Sequence, residues 1–167
     1  RLRGLNMTGS LPVEFVNLTH LQELDVARNY LSGSIPTAFG QLRVVILSLI
    51  GNRLSGTIPE EIADITTLEE LVVENNLLEG NLPANFGNLR NLRRLLFSAN
   101  NFNGSIPVTY ANLRNLTDFR IDGSRISGRI PDFIGNWTRL ERLDMQGTSL
   151  EGPIPETISQ LRNLTFL

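Results

Sequence analysis

The sequence of 167 residues contains no cysteine, a single histidine and no surplus of basic residues. Without cysteine, the chain can form no disulfide, no thiolate nucleophile and no cysteine-based metal site. Lys and Arg number 15 against 17 Asp and Glu, and a net charge of −2 argues against binding to nucleic-acid phosphates. No apolar run is long enough to cross a bilayer, and no signal peptide begins at Arg1. We therefore expect a mature or excised segment that does not itself insert into a membrane.

Residues that usually carry catalysis are also scarce. His20 is the only histidine, and no Ser or carboxylate stands in register with it, so a surface position is the simpler interpretation. No phosphate-binding loop is present, because each glycine has a place in a turn. Carboxylates do occur in pairs, which keeps acid–base chemistry under consideration, but they alternate with arginines. We expect no enzyme activity, no cofactor and no metal site in this segment.

One eleven-residue motif recurs along the chain. The copy NRLSGTIPEEI begins at Asn52, and related copies begin at Asn29, Asn76 and Asn100. Within it, proline recurs every 23 or 24 residues, with glycine three residues earlier and Leu or Ile directly before it. This regular spacing predicts an array of repeats, in which each repeat makes one coil and buries its apolar face against its neighbours. The prolines in phase are Pro12, Pro36, Pro59, Pro83, Pro107, Pro131 and Pro155.

The residues before each copy of this motif have the pattern of a short strand. Leu24 and Val26 stand two residues apart, which places both side chains on one face, and Asn29 follows three residues later. Stacked repeats would pair these strands into a parallel sheet with a spacing of about 4.8 Å. The asparagine amide can satisfy backbone groups inside the turn, and proline fixes φ without leaving an unpaired N–H.

These motifs resemble the leucine-rich repeat of the plant extracellular type, whose signature is LxxLxxLxLxxNxLxGxIPxxxxx. The resemblance covers essentially the whole chain and implies an α/β repeat fold: a right-handed solenoid with a concave parallel sheet, a short second sheet and a convex side of loops and 3-10 turns. The stretch from Ile130 to Pro155 is most similar to receptor-like serine/threonine kinases whose ectodomain also carries a malectin-like domain. Residues 1–167 are then one domain segment of about seven repeats, cut at both ends.

The asparagine ladder is expected to weaken towards the end of the chain. It comprises Asn29, Asn52, Asn76 and Asn100, whereas Ser124 and Thr148, which are shorter, occupy the equivalent later positions and Leu5 the first one.

Six N-x-S/T sequons favour an extracellular location, on the outer side of the plasma membrane of a single-pass parent, although the repeat's own composition also produces the triplet Asn-Leu-Thr. The candidate glycosylation sites are Asn6, Asn17, Asn103, Asn115, Asn136 and Asn163.

Strand residues that point away from the core form the concave surface, where charges alternate from Glu70 onwards. One interpretation is a self-satisfied ladder of ion pairs, and the other is a groove for a charged ligand. The candidate ligand contacts are Glu70, Val72, Glu74, Arg94, Leu96, Arg120, Asp122, Asp144 and Gln146. Apolar residues in the same surface predict an interaction patch, for a partner or for another domain of the parent. This patch comprises Val45, Ile46, Ile50, Val72 and Leu96.

The resemblance implies a non-catalytic recognition module of a plant receptor-like kinase in cell-surface signalling. Its partners would be a peptide, a glycan, another receptor ectodomain or the parent's own malectin-like domain. Any kinase activity would belong to a part of the parent absent from this chain. Two alternatives stay open: a soluble cell-wall inhibitor of a secreted hydrolase, and a structural spacer between ectodomain modules.

Overall fold

The computed structural model describes all 167 residues as a solenoid of stacked coils. Each coil contributes one three-residue strand to a six-stranded parallel sheet, in which strands from successive coils are neighbours. The central residue of each strand, such as Leu47 or Leu71, is buried. The six strands are Glu23–Asp25 (β1), Ile46–Ser48 (β3), Glu70–Val72 (β5), Arg94–Leu96 (β7), Asp118–Arg120 (β9) and Arg142–Asp144 (β11).

A second set of short parallel strands follows the asparagine turn of each coil. It divides into a four-stranded and a two-stranded sheet. A glycine with positive φ lies within each of these strands or directly after it. At Gly104 (φ +73°) an added Cβ would lie 2.5 Å from Asn81 Oδ1, so the close approach of two coils requires glycine. These strands are Ser32–Gly33 (β2), Arg53–Gly56 (β4), Leu77–Asn81 (β6), Asn101–Asn103 (β8), Ser127–Arg129 (β10) and Ser149–Glu151 (β12).

The return path of every coil is one turn of 3-10 helix. Each helix starts directly after one of the phased prolines, whose φ angles of −61° to −75° suit the start of a helical turn. None of these helices is long and apolar enough to span a membrane. They are Val13–Asn17 (η1), Thr37–Gln41 (η2), Glu60–Asp64 (η3), Ala84–Asn88 (η4), Val108–Asn112 (η5), Asp132–Asn136 (η6) and Glu156–Gln160 (η7).

The core is a single cluster of 38 buried apolar residues that runs the length of the solenoid between the sheets and the helices. The apolar residues three positions after the phased prolines are fully buried in the five inner coils, as at Phe39, Phe86 and Tyr110, and half-buried in the first and last coils, at Phe15 and Ile158. The repeat solenoid with parallel strands and a 3-10 outer side, predicted from the sequence, is confirmed.

Asparagine side chains join consecutive coils. Asn76 Nδ2 donates to Val73 O in its own coil and to Leu49 O in the preceding coil, both at 3.0 Å, while its Oδ1 accepts from Leu54 N. Asn29, Asn52 and Asn100 make the same set of contacts. Each of these buried amides therefore satisfies backbone groups of two coils at once.

Candidate functional site

The solvent-facing side of the six-stranded sheet, which we call the concave face, consists of three columns of side chains. Strand pairing brings equivalent residues of successive coils side by side, so each column crosses all six strands or their extensions. The first column is Glu23, Ile46, Glu70, Arg94, Asp118 and Arg142, and the second is Asp25, Ser48, Val72, Leu96, Arg120 and Asp144. The third, two residues further along, is Ala27, Ile50, Glu74, Ser98, Asp122 and Gln146.

A groove of about 380 Å³ occupies the part of this face formed by β1, β3, β5 and β7, four of the six strands. Apolar and small side chains lie on β3 and its extension, in the middle of the groove. Carboxylates and arginines lie on both sides of β3, on β1, β5 and β7 and their neighbouring residues. Its size falls within the usual range of ligand sites, roughly 300–1,000 Å³. It is lined by Arg1, Arg3, Glu23, Asp25, Ile46, Ser48, Ile50, Glu70, Val72, Glu74, Arg94 and Leu96.

The predicted apolar patch differs from the observed surface. Val72 and Leu96 are 8% and 1% exposed, so they form the bottom of the groove and not an exposed patch. Leu96 stands between Val72 and Arg120 in its column, and long neighbouring side chains cover it. Ile46 and Ile50 are half-buried and line the groove, whereas Val45 is half-buried outside it.

Ion pairs connect the charged residues of the first column, but not at every step. Arg94 pairs with Glu70 at 2.7 Å and approaches Asp118 at 3.8 Å. The next predicted pair, between Asp118 and Arg142, is absent, because Arg120 on the same strand donates two hydrogen bonds to the Asp118 carboxylate. Arg142 instead lies over the ring of Phe166, with its guanidinium carbon 4.0 Å from the ring centroid.

Glu74 is held less closely than the other carboxylates that line the groove. The residue is 8% exposed, and its nearest cation is Arg120, with which it forms an ion pair at 3.8 Å. Burial raises the pKa of the Glu74 carboxyl, and the positive charge of Arg120 and a hydrogen bond from Ser98 oppose that rise only in part. The Ser98 hydroxyl also lies within hydrogen-bond distance of Asp122.

The remaining candidate contacts lie outside the groove, towards the last coil. Asp144 is buried and Gln146 is exposed, and both line a separate apolar cavity of about 310 Å³. Asp122 is half-buried beside Ser98. Of the nine candidate residues, five therefore line the groove, Asp144 and Gln146 line the apolar cavity, and Arg120 and Asp122 line neither. Asp25 and Ser48 also line the groove and were missed, although reading the second column in register could have identified them.

The candidate glycosylation sites all lie off the six-stranded sheet. Asn6, Asn17, Asn103 and Asn163 are exposed, while Asn115 and Asn136 are half-buried and donate Nδ2 to carbonyl groups of the preceding coil. None of the six asparagines lines the groove.

Similarity to known proteins agrees with this architecture. The sequence matches the Leucine Rich Repeat family at residues 20–42, 43–65, 67–89, 91–113 and 139–161, which together make up more than half of the chain. The chain belongs to the leucine-rich repeat family. A probable LRR receptor-like serine/threonine-protein kinase of Arabidopsis thaliana is 59% identical over 53 residues, which are 32% of this chain and only 5% of that relative.

Solved receptor structures are similar over nearly the full length of this leucine-rich repeat chain. The plant peptide hormone receptor RGFR1 in complex with RGF2 is 35% identical with a TM-score of 0.93, covering 96% of this chain and 26% of the receptor chain. The Arabidopsis receptor kinase HAESA, in complex with the peptide hormone IDA and the co-receptor SERK1, is 33% identical with a TM-score of 0.88 over 95% and 27% of the two chains.

Proposed function

We propose that this chain is a non-catalytic recognition module on the extracellular side of a plant receptor-like kinase, and that its concave groove binds a peptide. The similarity to receptor kinases and to a peptide-bound hormone receptor supports the proposal. Kinase activity would belong to another part of the parent, because the match spans 5% of the kinase relative.

The observation that carries this proposal is the groove itself. Four parallel strands present side chains of the three columns in a regular array, with apolar groups in the middle and charges on both sides. An extended peptide that crosses the strands could bury apolar side chains on Ile46 and Ile50 and place polar groups against the carboxylates and arginines. A few such buried contacts usually dominate peptide affinity.

Retention of extracellular plant peptides by the immobilised chain would test the proposal. We expect mass spectrometry to identify retained peptides, and Ile46→Glu to weaken their binding by about tenfold or more, because a charge then replaces the apolar middle of the groove. Val108→Glu is the matched control, since Val108 is 76% exposed on η5, outside the groove. Retention of no peptide, or equal binding by both variants, would contradict the proposal.

Another receptor ectodomain is a second partner in this proposal, supported by the HAESA structure that contains SERK1. A glycan or a malectin-like domain of the same parent would compete for the groove. Size-exclusion chromatography of the chain with each candidate, with and without a retained peptide, separates these cases. A complex that forms without peptide and survives Ile46→Glu would place the protein partner elsewhere on the solenoid.

A further inference from the structure

One edge of the solenoid, away from the groove, carries a row of exposed arginines without an ion-pair partner. Each lies in the turn that follows one of the 3-10 helices η4 to η7. In contrast, the arginines in the strands of the concave face, Arg94, Arg120 and Arg142, each pair with a carboxylate. We call this row the arginine edge; it comprises Arg90, Arg114, Arg139 and Arg162.

The same local backbone structure recurs along this edge. The N–H groups of Arg90, Arg114 and Arg162 each donate to the carbonyl group two residues earlier, at 2.9 Å. Asparagine side chains hold the turns of successive coils together: Asn115 Nδ2 donates to Arg90 O at 2.8 Å, and Asn163 Nδ2 makes the equivalent bond two coils later at 2.9 Å. The four arginines therefore follow one another along the solenoid, one in each of four consecutive coils.

No acidic side chain and no exposed apolar side chain interrupts the arginine edge. Its four turns contain no carboxylate, although the whole chain has a net charge of −2. The large apolar residues of these turns, such as Leu89 and Trp137, are buried. The side chains exposed beside the arginines are amides and a hydroxyl, as at Asn91 and Thr138. The turns are residues 88–92, 112–116, 136–140 and 160–164.

This combination of side chains fits an elongated anion that repeats its acidic groups. A guanidinium binds a carboxylate through two parallel hydrogen bonds, and amides and hydroxyls can bond sugar hydroxyl groups. One exposed ion pair contributes little affinity, but several pairs on one polymer act together. A peptide usually needs apolar or aromatic anchors, and a single-stranded nucleic acid needs aromatic side chains for its bases. The arginine edge offers neither.

We propose that the arginine edge binds a linear acidic polysaccharide, with sugar carboxylates on the arginines and sugar hydroxyl groups on the amides and hydroxyl beside them. This site is separate from the peptide groove, because none of the four arginines lines that groove. The module could therefore hold an acidic glycan while its concave face stays open to a peptide.

Retention on polygalacturonate, a linear polymer with a carboxylate on every sugar, tests the proposal. The 167-residue protein is produced without glycans, since Asn115 and Asn163 belong to candidate sequons on the same edge. We expect the immobilised polymer to retain the protein at low ionic strength and to release it as the salt concentration rises. Polymer whose carboxyl groups are methyl-esterified should not retain it.

A triple substitution locates the site. The variant with Arg90→Gln, Arg114→Gln and Arg162→Gln should bind polygalacturonate about tenfold or more weakly, because three ion pairs are lost together. Circular dichroism verifies that its solenoid is intact.

The matched control removes the same charge elsewhere. Arg28, Arg125 and Arg129 are also exposed but follow the strands of the six-stranded sheet, so they lie off the arginine edge. The variant with Arg28→Gln, Arg125→Gln and Arg129→Gln should keep its affinity for the polymer. Ile46→Glu, in the peptide groove, should keep it too.

Each contrary result has a definite meaning. No retention on polygalacturonate, or equal retention on the esterified polymer, would overturn the proposal. Equal weakening by the two triple variants would show that net charge, and not the arginine edge, governs binding, and would overturn it as well. Equal binding to polyglutamate or to phosphatidylserine vesicles would overturn the assignment to a polysaccharide. None of these results alters the test of peptide recognition by the groove.

Discussion

The coils that contain Asn29 to Asn100 and the coils that contain Ser124 and Thr148 are joined in different ways. In the first region each asparagine bonds backbone groups of its own and the preceding coil. In the second, Ser124 Oγ donates to Ile121 O at 2.6 Å and Thr148 Oγ1 to Met145 O at 2.9 Å, both within their own coils. The shorter side chains close the turn but do not cross to the preceding coil.

Aromatic packing compensates in the second region. Trp137 occupies a position that holds Leu or Ile in all other repeats, and it is fully buried. Its ring centroid lies 5.0 Å from that of Phe119, and its Nε1 donates to Tyr110 O of the preceding coil at 2.9 Å. One large side chain thus supplies both apolar burial and a hydrogen bond between coils. The comparison shows that successive coils are held together by side chains that reach from one coil to the next, and that different residue types can do this.

Removal of Trp137 is expected to have the largest effect. Trp137→Ala leaves a cavity in the cluster and removes the hydrogen bond from Nε1 to Tyr110 O between the two coils, and should lower the free energy of unfolding by about 3–5 kcal/mol. Urea denaturation followed by circular dichroism measures this loss. Trp137→Phe, which keeps most of the packing, is the milder comparison. A loss below about 1 kcal/mol for the alanine variant would show that aromatic packing does not join these coils.

Substitutions at the asparagine-ladder positions should lower the free energy of unfolding by less than Trp137→Ala, and by different amounts in the two regions. Asn76→Ala removes hydrogen bonds to Leu49 O, Val73 O and Leu54 N, takes the amide acceptor from the buried Leu54 N–H, and should cost roughly 1–3 kcal/mol. Ser124→Ala removes a bond within one coil and should cost about 0.5–1.5 kcal/mol. Both are measured in the same denaturation experiment. Equal costs, or a cost below about 0.3 kcal/mol for Asn76→Ala, would contradict a structural role for the ladder.

Extending the ladder is the converse experiment. The N–H of Leu78 donates to Asn100, and Phe102 stands at the equivalent position of the next repeat, so its N–H is the donor that a longer amide at position 124 would meet. Ser124→Asn should therefore stabilise the protein by about 1 kcal/mol, the typical gain from one net hydrogen bond. Thermal unfolding monitors the gain, and a fall in the midpoint would mean that the turn around Gly123 cannot accommodate the amide.

Local chemistry explains why so much of the fold could be predicted from the sequence. A 3-10 turn follows Pro83, as it follows each of the phased prolines. The hydrogen-bond partners of Asn76 all lie in its own turn or in the preceding coil. The surface was harder, because neighbours compete there. The burial of Leu96 depends on the side chains around it, and the missing pair between Asp118 and Arg142 depends on Arg120 taking the carboxylate first. No repeat pattern records those choices.

The concave faces of the two regions differ as well, and the smallest predicted effect concerns this difference. Towards the end of the chain Arg120 donates two hydrogen bonds to Asp118, whereas Glu74, beside the asparagine ladder, is buried with Arg120 no closer than 3.8 Å, and its pKa is raised by that burial. In the unfolded chain this carboxyl ionises at its ordinary pKa of about 4.3, before it does so in the folded protein. As pH rises through the interval between the two pKa values, the folded state binds more protons, so the free energy of unfolding falls.

Glu74→Gln should abolish that fall. The difference between the unfolding free energies of the unaltered protein and the variant should therefore change from acidic pH up to the raised pKa and be constant above it, with the variant relatively favoured at the higher pH. Urea titrations over a pH series measure this difference, and Glu79→Gln, which replaces an exposed residue of β6 and retains Glu74, should keep the fall. A pH-independent difference for Glu74→Gln would mean that Glu74 is satisfied in the folded protein, and the contrast between the two concave regions would disappear.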